Sequence, residues 1–322
     1  MYPELGLFFP NEKVSCIELV LSLATNARIK AQTVVELSLN SCFKRQYSSL
    51  FRAIDGYYAP RHTERDRVVL RAKSRETISR FLLESAVEPS KQMVSFFVDI
   101  TCNLKPHSKK SPDRSKIYTG TAANIGIGHA YSSVCIGRDN GWMLPISNKR
   151  VPYTANKMKF TVDQITPLLL QIPVSTLVLI TGDSAYSCSN FIYPFHQRQS
   201  VVIISRARSN RVIFHQHIGK QKAAGRKKKY GQKFHLNKVE SLPLVDTSTI
   251  FTEQGHRSTQ KIRLSLFKDY ICKGSKDHQM SEFPMNFIRV EVFNLDGSKK
   301  YNRDLWLQIS GKQKDVITLK EA

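Results

Sequence analysis

The hydrophobic pattern changes once along the chain, near residue 90. Before that point apolar residues recur at three- and four-residue steps: Phe43, Tyr47, Leu50, Phe51 and Ile54 form one series, and Ile78, Phe81 and Leu82 repeat it. Such spacing puts side chains on one helical face. Pro89 closes the region, because proline pushes the preceding residue out of the helical conformation. Residues 1–90 read as a small helical N-terminal domain.

From Val94 the pattern turns to short β-rich runs: Val94 to Thr101, Ala130 to Ile136, Trp142 to Ile146, Leu177 to Thr181 and Val201 to Ser205. Helical stretches at 161–171 and 185–197 fall before and after the fourth run. The order β-β-β-α-β-α-β, with a meander of three strands first, predicts an α/β fold on a mixed sheet, in the ribonuclease H-like order. The pattern weakens from Arg206, where a Gly- and Lys-rich loop and alternations such as Lys261 to Phe267 suggest a β-rich insertion over about 206–285. Phe287 to Phe293 and Leu305 to Ile309 are further strand candidates, and a helix is expected to begin near Thr318. The core domain is thus residues 91–322.

Charge adds a partner to this outline. The 322 residues carry 49 Lys and Arg against 26 Asp and Glu, a formal charge of +23, well beyond what solubility requires. Residues 1–90 hold 13 basic and 10 acidic side chains, so the excess lies further on. Between Ser184 and Val239 there are 12 Lys or Arg and no Asp or Glu, whereas a merely solvated loop mixes both signs. Nucleic acid is the expected partner, with Arg206, Arg208, Arg226, Lys227, Lys228 and Lys229 as candidate phosphate contacts. A membrane is not. The most apolar stretch, Thr166 to Ile180, is interrupted by Gln171, Pro173 and Ser175 and is too short to span a bilayer. No secretory signal is evident at residues 1–10, and the six cysteines form no C-x-x-C pair, which points to reduced thiols in the cytoplasm. His215 and His217 have no nearby Cys or carboxylate at ligand spacing, so a basic loop is preferred to a metal site there.

Two aspartates stand out against the basic background. Asp99 interrupts the apolar run from Ser95 to Ile100, where a carboxylate is costly unless paired or bound to metal. Asp183 directly follows Leu177 to Gly182, at a strand's C-terminal end, although an Asp there also suits a turn or helix cap. In the ribonuclease H-like order the first and fourth strands are neighbours, so the two carboxylates face each other. A divalent cation relieves their repulsion, with Mg2+ favoured by hard oxygen donors. A pair of ions roughly 3.5 to 4 Å apart activates a water or a 3′-hydroxyl in phosphoryl transfer.

Several stretches carry a family likeness. Gly182-Asp183-Ser184-Ala185-Tyr186 matches a G-D-x-x-Y segment, Phe97-Val98-Asp99 a first-strand Asp motif, and Gly225 to Gly231 a G-R-x-x-K-x-G loop. Phe43 to Leu50 and Leu305-Trp306-Leu307 match an N-terminal helical segment and the strand before a last helix. In this order they resemble the DDE transposases of bacterial insertion sequences, in the branch with a β-rich insertion between the second Asp and the Glu. The resemblance implies a metal-dependent enzyme that cleaves element ends and transfers strands. Asp99 and Asp183 would be its catalytic metal ligands for two Mg2+ or Mn2+ ions. Double-stranded DNA, as element ends and target, would be its partner, bound by a homo-oligomer. In the family a Y-x-x-R-x-x-x-E helix then supplies the last ligand. Here the sequence stops at Ala322 without that pattern, and Glu321 lies too early and lacks the preceding Tyr and Arg. The expectation is therefore a chain without the last catalytic helix, possessing DNA binding but little cleavage. A shortened DNA-binding protein or transposition inhibitor, and a ribonuclease H-like nuclease or resolvase, are the alternative readings.

Overall fold

The computed structural model describes residues 92–107, 113–118, 125–137, 141–220, 223–225, 227–254 and 259–319. It also describes 35, 48, 49, 51, 52, 76, 77, 79–84, 86 and 87. The chain divides into two compact units, residues 1–81 and 82–322. Most of the region read as a helical N-terminal domain lies outside the described residues. Within the second unit, Leu83 and Ala86 are helical and buried in its larger core.

The second unit contains a mixed sheet and few helices. Its strands in chain order are β1 (Met93–Leu104), β2 (Ser115–Tyr118), β3 (Ile125–Gly137), β4 (Met143–Val151), β5 (Leu177–Gly182) and β6 (Val201–Ala207). They continue as β7 (Val212–Gln216), β8 (Tyr230–His235), β9 (Thr247–Gln254), β10 (Thr259–Tyr270), β11 (Met285–Phe293) and β12 (Leu305–Ser310). Helix α1 (Lys157–Leu169) precedes β5, and α2 (Ser189–His196) lies between β5 and β6. The spatial order is β2-β3-β1-β5-β6-β12-β11-β10-β9, with β4 also on β3, while β7 and β8 form a separate hairpin. β1 is antiparallel to β3 and parallel to β5, and β5 is parallel to β6. Strands β4, β3 and β1 therefore form the expected meander, β5 lies beside β1 as expected, and β6 follows beyond it. The segment read as an insertion contributes β9 and β10 to the same sheet, joined through β11 and β12.

Why the central strands were legible follows from their burial. β5 and β6 begin Leu-Val-Leu-Ile and Val-Val-Ile-Ile because both faces are covered, which removes the polar alternation. On one face Val94, Phe96, Val98, Val178 and Ile180 pack with Val162, Ile165 and Leu168 of α1 and Phe191 and Phe195 of α2. On the other, Leu177, Leu179, Val202 and Ile204 join Ile262, Leu264, Ile288, Ile309 and Ile317.

Both helices depart from the sequence boundaries for local reasons. α1 starts four residues earlier than expected, at Lys157, because the Asn156 side chain accepts from the Met158 and Lys159 amides and so caps it. Its buried side is fixed to β3 and β4 by polar contacts. The Thr161 and Ser132 hydroxyls lie 3.0 Å apart, and Gln164 Nε2 donates to the Ser132 carbonyl and the Ser147 hydroxyl. α2 starts four residues later than expected. Residues 185–188 form a turn instead, held by the Asp183 carboxylate and by the Tyr186 amide donating to the Asp183 carbonyl.

At the far side of the sheet a charged network joins β11 to the start of β12. Arg289 contacts Asp304 through Nε at 2.7 Å and Nη2 at 2.6 Å, and also reaches Glu291 at 3.0 Å. Lys299 bridges the same two acids at 2.8 and 3.2 Å. Glu291 is buried and tolerable there because cations surround it.

Candidate metal and nucleic-acid site

The paired residues of β1 and β5 run from Met93 with Leu177 to Val98 with Gly182. Asp99 and Asp183 are each the next residue, so neighbouring parallel strands bring both aspartates to the end of the β1–β5 pairing. Their fields converge on one phenol. Burial first, then Asp99 and Asp183, push the Tyr186 hydroxyl well above the ordinary tyrosine range, and it stays neutral. The Thr161 hydroxyl opposes them weakly, yet is not placed to satisfy the Tyr186 oxygen, which lacks a hydrogen-bond partner. Asp99 also acts across to β3, where burial first and then this carboxylate raise the Cys135 thiol.

One expectation needs correction. Asp99 is exposed, not enclosed in an apolar strand. The buried set of β1 is Val94, Phe96 and Val98, and Asp99 follows on the alternate face, mid-strand but just past the pairing with β5, in the half of the strand where Thr101 and Leu104 are exposed too. Its ionised form therefore does not bear the cost of a buried charge. Asp99 Oδ2 accepts from the Thr101 hydroxyl at 2.8 Å, and Asp183 Oδ1 accepts from the Ala185 amide at 2.8 Å. The turn role considered for Asp183 is thus real, and it leaves the second carboxylate oxygen outside that bond. Two carboxylates with hard oxygen atoms to spare suit Mg2+ or Mn2+. Among the described residues, no group of three or more His, Cys, Asp or Glu side chains is placed to hold a metal. Asp99 and Asp183 fit as part of a ligand set.

The glycine and tyrosine flanking Asp183 are explained by packing. A Cβ on Gly182 would stand 2.6 Å from the Tyr186 ring and 3.0 Å from Val98, so only glycine lets the ring lie under the end of β5. That ring is fully buried and meets Phe191 edge-on at 4.8 Å, with Phe195 next in the stack. The turn carrying Asp183 is in this way anchored to α2.

The basic residues gather around two cavities. Arg206 is exposed on β6. Arg208 lines a cavity of about 350 Å³ together with Arg211, Phe214, Lys233, Cys272 and Lys273. Lys227, Lys228 and Lys229 line a larger one of about 930 Å³ with Lys220, Tyr230 and, from a separate loop, Lys273 and Lys276. Arg226 lies outside the described residues. Lys273 belongs to both cavities, its ammonium 5.5 Å from the Phe214 ring and 5.9 Å from the Tyr230 ring. Arg211 connects this region to the aspartate turn, since its Nη2 donates to the Ser187 hydroxyl at 2.7 Å. His215 packs on Tyr270 at 4.7 Å, while His217 lines the larger cavity.

Sequence reasoning missed Arg211, Lys233, Lys273 and Lys276. Arg211 and Lys233 lay inside the acid-free segment without being singled out. Lys273 and Lys276 lie beyond it, next to Asp277, where local charge balance hid them. The Lys-Gly-Ser-Lys stretch at 273–276, with its turn residues, was the available signal.

No protein-family model matches the sequence, and no curated protein matches it significantly. Among solved structures, the chain is similar to a cryo-EM structure of the piggyBac transposase synaptic complex with hairpin DNA. The TM-score is 0.40 and the identity 13%, over 96% of this chain and 53% of that one. This chain spans about half the length of that protein.

Proposed function

We propose that this chain carries the core of a DNA transposase of the DDE kind, working in the cytoplasm as a homo-oligomer on double-stranded element ends and target DNA. The observation that carries the reading is the placement of Asp99 and Asp183 one step beyond the pair Val98 and Gly182. Asp99 and Asp183 are the residues to hold two Mg2+ or Mn2+ ions. Such ions, when bound, activate a water or 3′-hydroxyl and stabilise the leaving oxygen of a phosphodiester. Around them Arg206, Arg208, Lys227, Lys228 and Lys229, with Arg226 by sequence, neutralise backbone phosphates. Tyr186 keeps its proton and acts by holding the turn of Asp183 in place.

A non-catalytic DNA-binding protein or transposition inhibitor is the second reading, favoured by the two lysine- and arginine-lined cavities, which serve DNA binding without any chemistry. Incubation with element-end DNA and Mn2+, beside Asp99→Ala and Asp183→Ala, separates the two. Nicking that both substitutions abolish supports the enzyme, and strand joining distinguishes it from a ribonuclease H-like nuclease. DNA binding with no nicking supports the second reading.

A further inference from the structure

The larger basic cavity has two walls of different origin, and the second is a built loop. Residues 272–280 begin and end on buried side chains, Cys272 and Met280. Gly274 passes so close to the backbone of His278 and Met280 that a Cβ there would collide with the His278 carbonyl. The Ser275 hydroxyl accepts from the His278 amide, and the Ser275 amide donates to the Ser189 hydroxyl. Asn190 Oδ1 faces both the Ser275 hydroxyl at 3.3 Å and His278 Nδ1 at 3.0 Å. The loop is thereby latched to the first turn of α2, at Ser189 and Asn190, six and seven residues after Asp183. It presents Lys273, Lys276 and Gln279 to Lys220 and the Lys227 to Lys229 run, and Gln279 accepts from Lys229 at 2.7 Å.

The described lining residues include no carboxylate; Asp277 is exposed in the loop but does not line the cavity. Cations facing each other across a confined space repel, and a chain of phosphates between them removes that repulsion. The cavity, about 930 Å³ and open on one side, has room for a few nucleotides of one strand, whereas a duplex meets only its rim. Tyr230, half-buried on the wall, adds an aromatic surface of the sort that single strands use.

We propose that this cavity is a site for single-stranded nucleic acid, with Lys273 and Lys276 as its specific wall and Asn190 as the residue that positions it. The inference rests on the DNA-binding reading above and adds a distinct substrate form. It is tested by fluorescence anisotropy with a short oligothymidylate and a duplex of equal length across a salt series. The proteins compared are the whole chain, a Lys273→Ala/Lys276→Ala variant and Asn190→Ala, with thermal melts to confirm folding. The double variant should weaken oligothymidylate binding at least tenfold, reduce its salt slope by about 1.4 and change duplex binding less than threefold. Asn190→Ala, which removes no charge, should weaken the single strand at least threefold. Equal losses on both DNAs, or an unchanged single-strand affinity in either variant, overturn the proposal. Duplex binding by the unaltered chain without single-strand binding overturns it while leaving the proposed function intact. Binding of neither DNA defeats the proposed function itself.

Discussion

Gly182 lies against the ring of Tyr186, at a distance that leaves no room for a methyl group. The contact explains why the residue before Asp183 is glycine and why a large aromatic follows three positions after it. Gly182→Ala should overpack this site and lower stability by about 1 to 3 kcal/mol, measured by urea unfolding. An unchanged midpoint would show that the ring moves aside freely.

Tyr186→Phe is expected to behave differently. The phenol oxygen is buried without a hydrogen-bond partner, so removing it deletes an unsatisfied group and keeps the ring. Stability should stay level or rise by up to about 1 kcal/mol, whereas Tyr186→Ala should cost about 3 to 5 kcal/mol through the cavity it opens. A large loss in the phenylalanine variant would mean that the hydroxyl has a structural partner after all.

The Arg289 network gives the fold a pH signature. Burial pushes the Asp304 carboxyl up, but hydrogen bonds from Lys299 and Arg289 outweigh it, and the net value is below the usual carboxylate range. Its contribution is complete above its unfolded value, about 3.9, and is lost as pH falls through the lower folded value. Lys299 is raised, chiefly by its hydrogen bond to Asp304, so its contribution is present below about 10.4 and is lost as pH rises through the folded value. Arg289→Ala should cost up to about 3 kcal/mol at neutral pH, because Glu291 and Asp304 lose one of the two cations that bridge them and keep only Lys299, and should flatten the acid limb of a stability–pH curve. A parallel acid limb in the variant would remove the network as its cause.

The central strands were legible because burial on both faces leaves unbroken apolar runs, as at Leu177 to Ile180 and Val201 to Ile204. Strands β2, β7, β8 and β9 were not. β9, Thr247 to Gln254, is exposed at nearly every position, so no hydrophobic alternation marks it, and β2 has four residues with only Ile117 buried. The adjacency of Asp99 and Asp183 could be read from strand order, since it needs only the pairing of β1 with β5. The exposure of Asp99 could not, because the run Phe96-Phe97-Val98 hides which of its residues face inward. The wall bearing Lys273 and Lys276 depends on hydrogen bonds to Ser189 and Asn190, more than 80 positions away, and no local pattern reports those.

Phosphate binding by the predicted basic residues is open to a salt titration. Replacing Lys227, Lys228 and Lys229 with alanine should weaken binding to duplexes of any sequence and lower the salt slope by roughly 0.9 for each phosphate no longer neutralised. An unchanged slope would place this loop away from the DNA.

Whether Asp99 and Asp183 share a divalent ion is best decided by Mn2+ binding followed by electron paramagnetic resonance. The chain should bind Mn2+, with Mg2+ competing, and Asp99→Asn and Asp183→Asn should each weaken binding at least tenfold while DNA affinity and the melting temperature hold. Mn2+ binding that is the same in the Asp99→Asn/Asp183→Asn double variant would show that these two aspartates do not hold the ion.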